Sequence, residues 1–285
     1  MASEALSVGE ATTLARRRLA QRSETASLDG EVLLASILEK SRAWVLAHPE
    51  GKLTSEASRL YLHKLEELAA GKPLPYLTGV QEFFGLSFQV TPQVLIPRPE
   101  TELLVERALA WLSARPGRRS VADVGTGSGC IAAALAVHVP DLTVFATDIS
   151  TPALEVARGN LERLGVLERV RLLHTHLLRG SPGPFDLICA NLPYIPTGTL
   201  ASLTDLRFEP REALDGGLDG LDLVRDLFQQ ARSLLAEDGL LLAEIEAGQG
   251  VEARRAAVQC FPGKTVQIIK DLAGKDRLVE IGGVG

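Results

Sequence analysis

The feature that most constrains this chain is an alternation that begins after Arg118. Short apolar runs at Val121–Val124, Thr143–Thr147, Val170–His174, Phe185–Ala190, Leu240–Ile245, Val266–Lys270 and Leu278–Ile281 read as strands. Helical patterns separate most of them: Cys130–Val137, Pro152–Leu164, Leu221–Leu235 and Val251–Gln259. Strand, helix, strand in repetition predicts a parallel sheet covered by helices on both faces. A parallel pair needs a crossover of about a dozen residues or more. Asp271–Asp276 is too short for one, so the last two strands are expected to run antiparallel.

Upstream the texture differs. From Ser3 to about Gly71 the chain is rich in helix formers, with apolar residues at helical spacing: Leu14 and Leu19, then Val32, Leu33, Leu34, Ile37 and Leu38, then Leu60, Leu62, Leu65 and Leu68. A bundle of four or five helices is expected, with Ser27 and Asp29 capping one from about Glu31 and Thr54 capping one before Glu56. The run Arg16–Arg18 reads as a solvated helix face. Gly71 to Pro99 is punctuated by glycine and proline around Phe83, Phe84, Phe88 and Val90, which reads as a linker containing a hairpin. Glu100 then opens a helix to about Ala114, with Pro99 near its first turn. The expected domains are therefore a helical bundle over 1–72, a linker with a β-hairpin over 73–98, and an α/β domain over 99–285.

Composition narrows the functional classes. Apolar residues make up 46% of the chain and charged residues 23%, an ordinary globular balance. No apolar stretch approaches the ~18 residues of a membrane span. Met1 to Glu10 lacks the basic and apolar regions of a secretory signal. Net charge is −6, from 30 basic and 36 acidic residues, where a phosphate-gripping domain would show a basic excess. Cys130, Cys189 and Cys260 are odd in number and far apart, as buried thiols in a reducing compartment would be. The expectation is a cytoplasmic protein, a monomer, with no membrane and no direct nucleic-acid contact.

Chemistry concentrates where strands end. The first strand runs into Asp123-Val124-Gly125-Thr126-Gly127-Ser128-Gly129. Glycines there let the backbone turn sharply and a ligand come close, and the carboxyl end of the first strand of a wound sheet is where a ligand crevice opens. A dinucleotide fingerprint would place a glycine at position 130, which is Cys130, so nicotinamide and flavin dinucleotides are disfavoured. No P-loop lysine follows, which excludes triphosphate hydrolysis of that type. The next strand ends in Asp148, whose carboxylate can accept hydrogen bonds from two vicinal ribose hydroxyls. Alone, the glycines could be a tight turn and Asp148 a helix cap; at this spacing the pair reads as a nucleoside site. Gly-x-Gly-x-Gly with a ribose carboxylate resembles the S-adenosylmethionine site of class I methyltransferases.

The fourth strand of the wound sheet runs into Asn191-Leu192-Pro193-Tyr194. Pro193 biases Leu192 toward an extended conformation, leaving backbone carbonyls free of any helix ladder. An amide nitrogen is a poor nucleophile because its lone pair is delocalised. Two acceptors, the Asn191 side-chain oxygen and the Leu192 carbonyl, could each take one hydrogen of an NH₂ group and orient the nitrogen toward an electrophile. The gain would come from positioning and matched dipoles.

Across nearly its whole length the chain resembles the peptide chain release factor N5-glutamine methyltransferases, the HemK/PrmC family. The resemblance rests on Tyr76-Leu77-Thr78-Gly79, Glu82-Phe83-Phe84-Gly85, Leu95-Ile96-Pro97-Arg98-Pro99-Glu100-Thr101-Glu102, Asp123–Gly129, Asn191-Leu192-Pro193-Tyr194-Ile195, Arg207-Phe208-Glu209-Pro210-Arg211, Leu214-Asp215-Gly216-Gly217 and Asp271–Arg277. It implies a Rossmann-like seven-stranded class I methyltransferase sheet with its last strand pair antiparallel, plus an N-terminal helical bundle that grips the partner. It implies methyl transfer from S-adenosylmethionine to the glutamine of the Gly-Gly-Gln tripeptide in class I release factors. Gly125, Thr126, Gly127, Ser128 and Gly129 would then pass along the methionine end, Asp148 would hold the ribose, and His176 and Leu177 would lie by the adenine. Asn191, Leu192, Pro193 and Tyr194 would form the catalytic corner and, with Phe83, bind the glutamine.

Two positions depart from the family pattern: Leu192 stands where a proline is common, and His176 where an acid is common. His174 and His176 share a strand face, but no third ligand lies near in sequence and no metal is expected. Arg98, Arg207 and Arg211 either order the active-site loops or meet acids on the partner, or else close local salt bridges. Glu244 and Glu246 end a strand at the crevice side, where they could touch a cofactor's ammonium group, but strand-end solvation is the preferred reading. A nucleic-acid amino-methyltransferase acting on adenine N6 or cytosine N4 meets the same NH₂ problem and is the competing enzyme reading. A non-catalytic cofactor-binding scaffold is the third.

Overall fold

A computed structural model describes residues 5–117 and 119–282. Met1–Glu4, with the first part of the stretch inspected for a signal, Arg118 and Gly283–Gly285 lie outside the described residues. The chain divides into two compact units, Met1–Val80 and Gln81–Gly285.

The first unit is helical: α1 (Val8–Leu19), α2 (Ala26–Leu38), α3 (Arg42–Ala47), α4 (Ser55–Ala69) and α5 (Leu74–Thr78). Ser7 and Glu10 form a reciprocal capping box on α1, satisfying two backbone donors. The Thr54 hydroxyl accepts from Ala57 N and caps α4 as expected. The caps assigned to α2 are misplaced: it begins five residues earlier than expected, and Ser27 and Asp29 lie inside it. Asp29 instead accepts from the hydroxyls of Ser23 and Thr25, which draws the helix start upstream. Val8, Ala15, Leu33, Leu34 and Leu65 form the core around Tyr61, whose hydroxyl is shared between the carbonyls of Ala11 and Gly30.

A hairpin, β1 (Val80–Phe83) and β2 (Leu86–Gln89), turns through Phe84 at φ 51° and Gly85 at φ 70°. Left-handed φ is costly for an aromatic residue. Here the Phe84 N–H donates to Glu102 at 2.8 Å and its ring packs edge-on against His138. A short 3₁₀ turn, Pro99–Thr101, leads into α6 (Glu102–Ser113).

The large sheet then forms from β3 (Arg119–Val124), α7 (Cys130–His138), β4 (Leu142–Asp148), α8 (Thr151–Arg163), β5 (Val170–His174), β6 (Phe185–Ala190), a short α9 (Thr197–Leu200), α10 (Asp222–Ala231), β7 (Leu235–Glu244), α11 (Gly250–Cys260), β8 (Val266–Lys270) and β9 (Asp276–Gly282). Its order is β5-β4-β3-β6-β7-β9-β8. The pairs from β5 to β7 are parallel; β9 is antiparallel to both β7 and β8, as the short Asp271–Asp276 connection requires. α7 is buried on all sides, and its alanines let it lie close between the sheet and its neighbours. The helix expected over Leu221–Leu235 ends at Ala231. Leu234 and Leu235 continue its apolar spacing, but Phe185 N donates to the Leu234 carbonyl and Leu235 pairs with Phe185, so the chain leaves the helix early to join the sheet.

The chain steps outward from β3 to β4 and β5, then returns to place β6 on the other side of β3. That reversal puts a topological switch point between β3 and β6, where the carboxyl ends Val124 and Ala190 lie in register. Both sequence motifs continue from those ends into one crevice, where ligands bind in open α/β sheets.

Candidate active site

Two cavities meet at the switch point. The first, about 520 Å³, is lined by the glycine loop, Asp148, His176, Leu177 and Asn191 to Pro193, among others. The second, about 460 Å³, is bordered by Arg98, Tyr194, Ile195, Leu203, Leu206 and Glu246, among others. Leu95, Asn191, Leu192 and Ala213 line both, so the Asn191-Leu192 dipeptide lies in the partition between them.

The glycine loop is pinned from below by the Thr147 carbonyl, which accepts from Gly125 N and Thr126 N at 2.9 Å. Gly125 and Gly127 both have positive φ, and a side chain at Gly127 would meet nothing, so that stretch faces open cavity. A side chain at Gly125 would strike Leu192, and one at Gly129 would press on Ala157 of α8. Asn160, fully buried on α8, ties the loop to the hairpin: it donates to the Ser128 and Gln89 carbonyls and accepts from Gln89 N.

Asp148 accepts from Gly127 N on one oxygen and Ser150 N on the other, each at 2.9 Å. A carboxylate has about four lone-pair sites, so this fixed group still has acceptors to offer a diol. Burial and the nearby Glu212 both raise its pKa. Asp123, at the end of β3, is completely buried. One of its oxygens accepts from the Thr126 hydroxyl at 2.6 Å and from Ala132 N, while the other has no partner. Burial pushes its carboxyl up to about 6. Asp148 lines the cavity and Asp123 does not, so of the two acids Asp148 alone fits a bound cofactor's hydroxyls, such as the ribose of S-adenosylmethionine would offer. The volume also lies in the ~300–1,000 Å³ range of small-molecule sites.

Asn191 is oriented from behind. Its amide nitrogen donates to the Thr101 hydroxyl at 2.9 Å, which leaves its oxygen for the cavities. The Leu192 side chain is buried in the core around β3 and β6. Gln249 holds Tyr194, donating to its carbonyl at 2.9 Å while accepting from Glu246 N. Burial pushes the Tyr194 phenol up to about 12, so it stays neutral. The Ile-Pro-Arg-Pro and Phe-Glu-Pro-Arg stretches are clamped together by an ion pair between Arg98 and the buried Glu209, which also accepts from Ile96 N. Arg211 pairs with Asp215 at 3.3 Å, and Arg207 lies over the Phe208 ring.

The structure thus brings Gly125, Thr126, Gly127, Ser128, Asp148, His176, Leu177, Asn191, Leu192 and Pro193 around one cavity, with Tyr194 in the second. Gly129 sits behind the loop. Phe83 is only 1% exposed, packs against Phe88 in the core under α6 and α7, and lines neither cavity. Among the described residues no group of three or more His, Cys, Asp and Glu side chains could hold a metal ion. Sequence reasoning gave no role to Asp123 or Thr101 and misread Glu244. Glu244 is 2% exposed at the end of β7, not solvated as its strand-end position suggested, and one of its oxygens has no partner. Burial pushes its carboxyl up to about 7.

A sheet of this order, with a glycine loop and an acid at its switch point, defines a class I methyltransferase. A solved T. thermophilus 16S rRNA N2 G1207 methyltransferase in complex with AdoMet and guanosine shares this fold, with TM-score 0.54 and 16% identity over 72% of this chain and 49% of that one. Residues 10–79 match the PrmC N-terminal domain, and residues 100–204 the methyltransferase small domain. Release factor glutamine methyltransferases from Moorella thermoacetica and Coxiella burnetii are 44% and 38% identical to it, over 95% and 96% of this chain and 95% and 98% of theirs. The chain belongs to the release factor glutamine methyltransferase family.

Proposed function

We propose that this protein methylates the side-chain amide nitrogen (N5) of the glutamine in the Gly-Gly-Gln motif of class I peptide chain release factors. The observation that carries this reading is the Asn191-Leu192 partition, with the Asn191 amide nitrogen turned away to Thr101 and its oxygen left for a ligand.

S-adenosylmethionine, held by Gly125–Gly129, Asp148, His176 and Leu177, supplies an electrophilic methyl group. The Asn191 oxygen and the Leu192 carbonyl each accept one hydrogen of the glutamine amide. Holding both aims the nitrogen and favours its pyramidal form as the bond forms, an effect of preorganised dipoles. Pro193 and Tyr194 hold that corner, and the neutral Tyr194 offers a flat wall to the glutamine. Because position 192 contributes a carbonyl, leucine serves there, with its side chain anchored in the core.

The domain assignment follows: 1–72 recognises a surface of the release factor remote from the glutamine, 73–98 links, and 99–285 carries the chemistry. The protein works as a cytoplasmic monomer without nucleic-acid contact, in keeping with its net charge of −6 and three free buried thiols.

The test is incubation of the purified protein with methyl-labelled S-adenosylmethionine and, separately, a release factor, its glutamine-substituted variant, DNA and RNA. Label on the intact release factor alone supports the reading. Label on nucleic acid, or label that survives loss of the glutamine, overturns it.

A further inference from the structure

The Leu192 carbonyl is one of the two acceptors that methyl transfer asks for, and a backbone carbonyl is aimed by the chain around it. We infer that Gln249 is a positioning residue for the reaction: by holding the Tyr194 carbonyl it sets the direction of the Leu192 carbonyl two residues upstream. This deepens the reading above and rests on it. Gln249 lines neither cavity, so it acts through the backbone and not by touching the glutamine.

Gln249 immediately precedes α11 and is buried. Its side-chain nitrogen donates to the Tyr194 carbonyl at 2.9 Å and to the Asp219 carbonyl at 3.2 Å, and its oxygen accepts from Glu246 N at 2.9 Å. Both amide hydrogens are used, and the oxygen has a donor in front of it. Turned over, the amide would set its oxygen against two carbonyls and its hydrogens against an N–H. Only one orientation satisfies all the partners. One side chain thus ties together the end of β7, the chain leaving β6 and the loop before α10. Its own backbone is held as well, with Gln249 N donating to the Glu246 carbonyl at 2.9 Å.

Between the Leu192 and Tyr194 carbonyls the chain has few ways to turn. The Pro193 ring locks its own φ at about −65°. The Pro193 carbonyl is hemmed in by Gly216, where a Cβ would fall 2.6 Å from it and 2.8 Å from Tyr194 Cα. Past Tyr194, Ile195 N donates to the Leu214 carbonyl at 3.0 Å and Gly216 N to the Ile195 carbonyl at 2.8 Å. Of the consecutive carbonyls that leave the corner, that of Pro193 packs against Gly216 and that of Tyr194 is held by Gln249. Among the described residues no donor bonds the Leu192 carbonyl, although Leu192 borders both cavities. It is left for the substrate amide. Removing Gln249 loosens the Tyr194 torsions, and a displacement of about 1 Å at a reacting group can cost about 100-fold in rate.

The test compares wild type, Gln249→Met, Gln249→Glu, Asn191→Ala and the double variant Asn191→Ala with Gln249→Met. It reads kcat and KM for release-factor methylation, S-adenosylmethionine Kd by calorimetry, and thermal unfolding. Gln249→Met keeps the length of the side chain and removes its hydrogen bonds. Its kcat should fall about 10- to 100-fold, while KM and the cofactor Kd stay within about twofold of wild type. In the Asn191→Ala background the same change should cost only about twofold, because one acceptor of the pair is already gone. A side chain that merely stabilised the fold would lower the rate equally in both backgrounds. Gln249→Glu keeps the shape, and on the alkaline side its carboxylate only accepts, so it should show the same split and serves if Gln249→Met does not fold. Wild-type kcat in either folded variant, a loss carried by the cofactor Kd, an equal loss in both backgrounds, or failure of both variants to fold overturns the inference and leaves the function standing. If wild type does not methylate the glutamine, or Asn191→Ala is fully active, the underlying function fails and takes the inference with it.

Discussion

A buried carboxyl whose pKa rises on folding weakens the fold at high pH, and Glu244 offers a measurable case. Its pKa moves from 4.5 to about 7. A raised folded-state value means the associated stability is fully present below pH 4.5 and lost as pH rises through 7. At about 1.4 kcal/mol per pH unit, the full cost of ionising the side chain in place is about 3 kcal/mol. About 2.5 kcal/mol of that opens between about pH 5 and about pH 8. Glu244→Gln removes the titration and keeps the shape. Any pH-independent penalty for the new amide appears equally at both pH values. Asp123 titrates with the same sign, from 3.8 to about 6, but both proteins retain it and it cancels. Urea unfolding should therefore show the variant gaining about 2.5 kcal/mol on wild type between those two pH values. A stability difference that does not change with pH would refute the burial argument and show that Glu244 is hydrated.

Other perturbations probe the remaining parts. Asp148→Ala should weaken S-adenosylmethionine binding by about 10- to 100-fold in calorimetry, about 1.4–2.7 kcal/mol, the worth of one or two hydrogen bonds to a charged group. Gly220 has φ 80°, and a side chain there would collide with the Tyr194 carbonyl and the Gln249 amide. Gly220→Ala should cost about 2 kcal/mol or more in unfolding free energy, from the left-handed backbone and the lost Gln249 bond, and should lower turnover. Arg98→Met strands Glu209, whose side chain is only 2% exposed. It should destabilise by about 2–3 kcal/mol in urea unfolding, because the buried carboxylate is left without its partner.

Most of the scaffold was legible because it is written in local periodicity and chain length. β5, β6 and β8 begin and end where their apolar runs do, and the antiparallel end of the sheet follows from a connection too short to cross over. The glycine loop and Asp148 were legible for a related reason: strand ends at a switch point are set by topology. What escaped depends on what covers a residue. Glu244 ends a strand, a position that reads as wet, yet it is covered in the fold beside the Thr101 turn. Thr101 sits in a proline-rich stretch with no periodicity to mark its hydroxyl as part of the site. The family resemblance put Phe83 beside the glutamine, but alternation along β1 turns it into the core. The early end of α10 depends on a pairing between Leu235 and Phe185, some fifty residues apart.

The central claim is that oxygens at the Asn191 corner hold the hydrogens of a substrate carboxamide beside the methyl donor. A crystal structure of the protein with S-adenosylhomocysteine and a peptide containing Gly-Gly-Gln tests it most directly. The account predicts the glutamine nitrogen within hydrogen-bond reach of both Asn191 Oδ1 and the Leu192 carbonyl, with the Asn191 nitrogen still on Thr101. A glutamine bound elsewhere, or an Asn191 amide turned over to present its nitrogen, would contradict it.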